Sequence, residues 1–118
     1  MNSHQDMLTV GPNHPTTYSG TSEVGIVSTG ARIGLFKRLN GSGTFYTTSS
    51  NLSPNNWYKF ILKVDGTSVT AKILNSQGTE LHNATQTISE VVNYSKWNLI
   101  CGDTTYTLKW KNLKIKPL

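Results

Sequence analysis

The carboxylates of this 118-residue chain are the residues that could hydrolyse a glycosidic bond, but their spacing argues against that chemistry. Glycoside hydrolysis uses two carboxyl groups a few ångströms apart, one to donate a proton and one to attack or to activate water. The chain has six acidic residues, and no two of them have the i, i+2 spacing that places side chains on one face of a strand. A Ser-His-acid arrangement stays open, although no nucleophile-elbow motif supports it. We therefore expect a protein that is not an enzyme.

Metal and thiol chemistry have little support in this sequence. His4 and His14 are too far apart and have too few companions to suggest a metal site, and His82 is expected to be a solvated side chain of a polar strand. The clustered Asp and Asn oxygens that calcium prefers are also missing. Cys101 is the single cysteine, which excludes an intrachain disulfide and indicates a small buried thiol. We expect no cofactor and no metal.

Non-covalent recognition of a sugar is the chemistry that the aromatic residues could perform. A pyranose ring places its apolar side on a flat aromatic face, while polar side chains hydrogen-bond its hydroxyl groups. The candidates are aromatic residues with an outward or ambiguous position and polar residues near them, namely Tyr46, Tyr94, Trp97, Asp103, Tyr106, Trp110, Arg38 and Lys96. Ordinary core packing is the alternative for each aromatic residue, and we assign Trp57 and Tyr58 to the core.

The net charge of +5 comes from lysines and arginines that are spread along the chain. One interpretation is a solvated face whose lysines discourage edge-to-edge association of sheets. The other is a surface that attracts an anionic partner, such as a phosphate-bearing glycan or a nucleic acid. The sequence contains no recognisable nucleic-acid-binding module, so a nucleic-acid partner is the weakest alternative.

The elements that would position these residues centre on a hairpin at residues 57–78. Apolar residues at every second position from Tyr58 to Val64 predict a half-buried strand, and the same period recurs from Val69 to Ile73. The dipeptide Asp65-Gly66 between the two segments favours a two-residue hairpin turn. A second turn is predicted at residues 75–78.

Short strands separated by turn residues are predicted for most of the remaining chain. We place them at residues 23–27, 31–39, 44–48, 80–88, 97–101 and 104–118, the last with a β-bulge. Residues 89–94 form either a short strand or one helical turn. About eight to ten short strands without an amphipathic helix predict an antiparallel β-sandwich or barrel.

The domain organisation follows from the same pattern. Residues 23–118 are expected to form one β-sandwich domain, because the chain is long enough for a single core. Residues 1–22 are expected to be an arm or linker with one possible edge strand, because Pro12 and Pro15 remove hydrogen-bond donors.

Three stretches carry a pattern that resembles a known superfamily. They are Asn56-Trp57-Tyr58-x-Phe60-x-Leu62-x-Val64-Asp65-Gly66, then Val69-x-Ala71-x-Ile73 with Gly78, and finally Trp110-x-Asn112-Leu113-x-Ile115. This pattern, over roughly the second half of the chain, resembles the concanavalin A-like superfamily of legume lectins, laminin G domains, laminarinase-type glucanases and carbohydrate-binding modules. The resemblance implies a jelly-roll sandwich. The chain departs from the glucanase members, because their closely spaced carboxylates are missing.

Within this superfamily, the polar composition of the chain, which is rich in Asn and Thr, resembles that of the carbohydrate-binding modules of bacteriophage tail and baseplate proteins. That resemblance implies recognition of host cell-surface polysaccharide, a location in the virion or on a bacterial surface, and other subunits of a larger assembly as further partners. The alternative is a structural or protein-docking module of such an assembly. The sequence shows neither a secretion leader nor an apolar run of membrane-spanning length, so we expect no membrane partner.

Overall fold

Two antiparallel β-sheets form the fold in the computed structural model, which describes residues 5–12, 22–28, 32–50, 52–53 and 56–99. The strands are β1 (Gln5–Gly11), β2 (Glu23–Ser28), β3 (Arg32–Leu39), β4 (Ser42–Ser50), β5 (Lys59–Asp65), β6 (Ser68–Leu74), β7 (Glu80–Thr87) and β8 (Lys96–Leu99). The first sheet has the order β4-β3-β2-β1-β8, and the second has the order β5-β6-β7. The predicted all-β antiparallel sandwich is therefore confirmed.

Residues with positive φ lie in the turns of two hairpins. Asn40 and Gly41 have φ values of 50° and 85° between β3 and β4, which suits a two-residue turn of type I′. Between β5 and β6, Asp65 pairs with Ser68, so the turn residues are Gly66 and Thr67 rather than the predicted Asp65 and Gly66. Gly66 has a φ of 59°, which a residue with a side chain adopts only with strain.

The core lies between the two sheets and follows the two-residue period of the strands. Val69, Ala71 and Ile73 of β6 are fully buried, as their alternation predicts. The alternating residues from Tyr58 to Val64 are half-buried and pack against this core. Trp57 was predicted to lie in the core, but 46% of its surface is exposed. It precedes the first residue of β5, so no strand neighbour forces it onto the inner face.

Strand β1 corrects the predicted position of the N-terminal strand. It pairs with β2 on one side and with β8 on the other, so it is an inner strand and not an edge strand. Pro12 comes directly after the last residue of β1 and removes no hydrogen-bond donor from the ladder. The proline on which the edge prediction relied therefore marks the end of the strand.

A short 3₁₀ helix, Ser89–Asn93, links β7 to β8 and buries Val91. It settles the alternative between strand and helical turn at residues 89–94 in favour of the turn. The predicted C-terminal strand at residues 104–118, with its bulge, lies outside the described residues. No helix in the described part of the chain is long and apolar enough to span a membrane.

Candidate functional site

A lysine on the inner face of β3 is the centre of the candidate site. Lys37 follows Ile33 and Leu35 at the period of a strand, so its side chain begins on the same face as these core residues. Its Nζ donates a hydrogen bond of 2.6 Å to Oε1 of Glu90, which belongs to the 3₁₀ helix. The two side chains are 21% and 30% exposed, so this ion pair lies at the rim of the core and within reach of solvent.

A β-bulge determines the position of Tyr46 on β4. Leu35 of β3 pairs with Thr47 of β4, whereas the next residue, Phe36, pairs with Phe45. Tyr46 is therefore the extra residue of the bulge, and it escapes the strict alternation of the strand. Its side chain is half-buried and packs against the core.

Tyr94 approaches the ion pair from the end of the 3₁₀ helix. Its backbone N–H donates a hydrogen bond of 2.9 Å to the carbonyl of Val91, which ends the helix and fixes the start of the following segment. The ring is half-buried against the core, and the phenol lies near the side chain of Ser22. The Oγ of Ser22 accepts a hydrogen bond of 3.0 Å from the backbone N–H of Asn40.

The pKa values of Lys37, Glu90 and Tyr94 are shifted by interactions among these side chains. The hydrogen bond to Glu90 raises the pKa of Lys37, with smaller contributions from the nearby phenols of Tyr46 and Tyr94. The same hydrogen bond lowers the pKa of Glu90. Burial, followed by the negative charge of Glu90, raises the pKa of Tyr94. At neutral pH the site therefore presents an ammonium, a carboxylate and the neutral phenol of Tyr94 beside each other.

The protonation state of Glu90 limits what this arrangement can do. A general acid that works near neutral pH needs a carboxyl group with a raised pKa, whereas the pKa of Glu90 is lowered, so Glu90 is not suited to that role. The ammonium and the phenol donate hydrogen bonds, the carboxylate accepts them, and the ring of each tyrosine adds an apolar surface. Hydroxyl groups on a saturated ring are the ligands that such a mixture of donors, acceptors and aromatic faces can hold.

Arg38, predicted to contact the ligand, lies on the opposite face of β3 from Lys37. Its side chain is 4% exposed and forms an ion pair with Glu23, which is 1% exposed. A ligand contact by Arg38 would need an exposed side chain, whereas the structure shows a buried one. The outer face of β3 is covered here, as it also is at Phe36 and at Glu23, which pairs with Arg38.

The other predicted residues fall into two groups. Lys96 is exposed and Trp97 is half-buried; both belong to β8, which β1 and β2 separate from β3. They follow Tyr94 closely in the chain and remain predicted ligand-binding residues. Asp103, Tyr106 and Trp110 lie outside the described residues.

Lys37 and Glu90 are the site residues that sequence reasoning missed. A signal for Lys37 was present, because a charged residue at the same strand position as Ile33 and Leu35 needs a partner at the edge of the core. No comparable signal identified Glu90, which is 53 residues away in the chain and lies in a segment whose secondary structure was left open.

His82 was expected to be a solvated side chain, but it is only 7% exposed. Its Nδ1 lies 2.7 Å from Oγ of Ser49, and its Nε2 lies 3.3 Å from Oγ1 of Thr47. These contacts join β7 of the second sheet to β4 of the first. Burial lowers the pKa of His82, so the imidazole is neutral at neutral pH. Among the described residues, no group of three or more His, Cys, Asp or Glu side chains could hold a metal ion.

The fold and this site define an all-β sandwich domain with a polar and aromatic site at the rim of its core. Comparison with protein families gives a more specific assignment. The chain belongs to the family described as SO2946-like, C-terminal domain, whose model matches residues 2–114. No curated protein and no solved structure matches the chain.

Proposed function

We propose that this domain is a non-catalytic carbohydrate-binding module that recognises polysaccharide on a host cell surface. The observation that supports the proposal is the Lys37–Glu90 ion pair with the half-buried rings of Tyr46 and Tyr94 beside it. Two of the aromatic residues predicted to bind sugar thus lie around one ion pair. The lowered pKa of Glu90 argues against a role for this residue as the general acid of hydrolysis.

The ion pair supplies both kinds of hydrogen bond that a sugar requires. Neighbouring hydroxyl groups of a pyranose ring donate and accept, so Lys37 binds one hydroxyl oxygen while Glu90 accepts from the next. Hydrogen bonds to charged groups are stronger than those between neutral groups. The tyrosine rings contact the apolar side of the sugar, which fixes its orientation in the site.

The context of the domain is a larger assembly, most specifically a bacteriophage tail or baseplate adhesion device in the virion, or a bacterial surface protein. This part of the proposal is supported by the resemblance of the second half of the chain to the modules of such proteins. The net charge of +5 fits it as well, because anionic cell-wall polymers attract a basic protein. Partners in this context are the host polysaccharide and other subunits of the assembly.

The test is binding of a fluorescent fusion of the domain to intact Gram-positive cells and to purified cell-wall polysaccharides. We expect saturable binding that soluble polysaccharide competes. Lys37→Met and Tyr94→Ala should each weaken it about tenfold or more, because each removes a direct contact with the sugar.

The matched control for Lys37→Met is Lys59→Met, which removes the same charge from an exposed residue of β5. Equal losses in the two lysine variants would mean that net charge drives binding, and would contradict a site at Lys37. No binding to any strain or polysaccharide would contradict the carbohydrate function and favour the protein-docking alternative. Release of new reducing ends from the polysaccharide would contradict the non-catalytic assignment.

A further inference from the structure

An open cleft lies between the two sheets, away from the Lys37–Glu90 pair. Its volume is about 400 Å³, which is within the range of small-ligand sites. Ile33 of β3 forms part of its lining and precedes Lys37 by four residues, or about 13 Å at the rise of a strand. The cleft and the ion pair therefore occupy different parts of the same face of β3.

The apolar part of the cleft is made of aliphatic side chains from both sheets and from the segment before β5. Ile33 and Ile73 are fully buried and close the inner side. Leu52 is half-buried, and Leu81 is 42% exposed at the outer side. A ligand group that contacts these four residues must be apolar and small, such as a methyl group.

The polar part consists of uncharged groups held in fixed positions. His82 is bonded through Nδ1 to Ser49 at 2.7 Å, and burial keeps its imidazole neutral by lowering its pKa. The Tyr58 hydroxyl donates to the carbonyl of Ser53 and accepts from the backbone N–H of Ser53, both at 3.1 Å. These contacts orient the hydroxyls and the imidazole that line the cleft.

Charge and polarity together restrict the ligand. The described residues that line the cleft include no Asp, Glu, Lys or Arg, so an ionic group would lose water without gaining a counter-ion. The Ser49 and Tyr58 hydroxyls are already bonded to His82 and Ser53, but each oxygen has a further lone pair that a purely apolar ligand would not use. The suitable ligand is neutral and combines a methyl group with a hydrogen-bond donor, as an acetamido group does.

We propose that this cleft is a second ligand site that binds an N-acetylated amino sugar through its acetamido group. The methyl group contacts the aliphatic residues, and the amide N–H donates a hydrogen bond to the hydroxyl oxygen of Ser49 or Tyr58. The choice of a sugar rests on the carbohydrate-binding function proposed above, whereas the site itself does not depend on Tyr46, Tyr94 or Lys37.

The test is a titration of the domain with the trimer of N-acetylglucosamine, followed by amide chemical shifts and calorimetry. The trimers of glucose and of glucosamine are the comparison ligands, because they lack the acetyl group. We expect the N-acetylated trimer to bind at least about tenfold more tightly than either and to shift the amides of Ile33, Ser49 and Leu81.

Leu81→Ser is the main variant, because Leu81 is partly exposed and its replacement leaves the buried core intact. We expect this change to weaken binding of the N-acetylated trimer about tenfold, through loss of apolar contact. Val92→Ser is the matched control, since Val92 is an exposed aliphatic residue of the 3₁₀ helix, 58% exposed. Ser49→Ala tests the polar side and should weaken binding about threefold to tenfold.

The other outcomes separate this proposal from the one above. Binding that Tyr94→Ala abolishes and Leu81→Ser leaves unchanged would place the sugar at the ion pair and overturn the cleft site. Equal affinity for all three trimers would overturn recognition of the acetamido group. Polysaccharide binding without any binding of the N-acetylated trimer would overturn the cleft site but leave the proposed function standing. No carbohydrate binding at all would overturn both.

Discussion

Two consecutive residues of β3, Lys37 and Arg38, form ion pairs in very different surroundings. The Lys37–Glu90 pair is 21% and 30% exposed, whereas the side chains of Arg38 and Glu23 are 4% and 1% exposed. The difference arises because successive side chains of a strand point to opposite faces. One pair lies at the rim of the core, where a ligand can reach it, and the other lies within a covered face.

The buried pair belongs to a packed layer. Glu23 accepts a second hydrogen bond, of 3.0 Å, from Oγ1 of Thr9. The guanidinium of Arg38 lies over the ring of Phe36 at 5.1 Å, and this ring contacts Phe45 edge-on with centroids 4.9 Å apart. The comparison indicates that burial separates two roles for the same chemistry: Arg38 and Glu23 hold strands together, while Lys37 and Glu90 are available for binding.

The largest expected effect is the loss of stability in Arg38→Met. The substitution removes a cation from a buried carboxylate, and breaking a buried ion pair in this way typically costs about 3–5 kcal/mol. Urea unfolding followed by tryptophan fluorescence would measure the loss. Glu23→Leu combined with Arg38→Met should recover much of it, because two apolar residues leave no buried charge.

A loss below about 1 kcal/mol in Arg38→Met would contradict the structural role of this pair, since exposed ion pairs contribute about that much or less. It would also remove the contrast with Lys37, whose replacement by Met should change the unfolding midpoint much less than replacement of Arg38. Comparison of the two single variants under the same conditions therefore tests the contrast directly.

A smaller loss is expected for Gly43→Ala, which acts on the covered face without altering a charge. Gly43 pairs with Arg38, and a Cβ atom built on it would lie 2.1 Å from Cζ of Phe36. Because Phe36 is 1% exposed, its ring has little room to move, and overpacking of this kind typically costs about 1–3 kcal/mol. Urea unfolding would measure the cost, with Ser42→Ala as the control at a neighbouring exposed position of β4.

If Gly43→Ala also abolished polysaccharide binding while the domain remained folded, the two faces of β3 would be coupled. That outcome would contradict the separation of roles. Unchanged affinity with reduced stability is the expected result.

The pH dependence of stability should distinguish the contribution of the Lys37–Glu90 pair from that of His82. The pKa of Glu90 is lowered from 4.5, so the stabilisation by the pair is complete above this value and is lost as the pH falls through the folded-state pKa. The pKa of Lys37 is raised from 10.5, so the stabilisation is complete below this value and is lost as the pH rises through the folded-state pKa. The difference in thermal midpoint between the parent and Lys37→Met should therefore be constant between pH 4.5 and 10.5.

Protonation of His82 should lower the stability of the domain within the range from pH 4.5 to 10.5. Its pKa is lowered from 6.5, so the unfolded chain binds the proton more readily, and stability falls as the pH drops from 6.5 towards the folded-state pKa. His82→Gln removes the titrating group, and this part of the pH dependence should disappear. If the stability of His82→Gln fell by the same amount over this acid range, another titrating group would be responsible for the loss.

Much of the fold was predictable because strand period and turn chemistry are local. The alternation from Val69 to Ile73 and the dipeptide Asp65-Gly66 identified the central hairpin, with an error of one residue in the position of its turn. The inner position of β1 was not predictable, because strand order depends on pairing with β2 and β8 across the sheet. Pro12 gave the wrong indication, since one proline can mark either an edge strand or the end of an inner one.

The candidate site was predictable in part. Tyr46 and Tyr94 were identified as aromatic residues near turns, but the bulge at Tyr46 depends on the register of β3 and β4, which the sequence does not specify. The alternation of Ile33 and Leu35 places Arg38 on the outer face of β3, but the sequence does not show that this face is covered. The partner of each cation, Glu23 or Glu90, comes from another element and becomes known only with the tertiary structure.

Tyr94→Phe should have the smallest effect, and it separates the ring of Tyr94 from its hydroxyl. The change leaves the half-buried ring in place but removes the hydroxyl group that lies near Ser22 and Lys37. A neutral hydrogen bond contributes about 0.5–1.5 kcal/mol, so affinity for polysaccharide should fall by less than about tenfold and by less than in Tyr94→Ala. Titration of the parent and the two variants with one polysaccharide at pH 7 would measure both losses. Equal losses of affinity in Tyr94→Phe and Tyr94→Ala would show that the hydroxyl accounts for the whole contribution of Tyr94. The ring would then have no part in sugar binding. No loss in either variant would remove Tyr94 from the site and leave the Lys37–Glu90 pair to be tested without it.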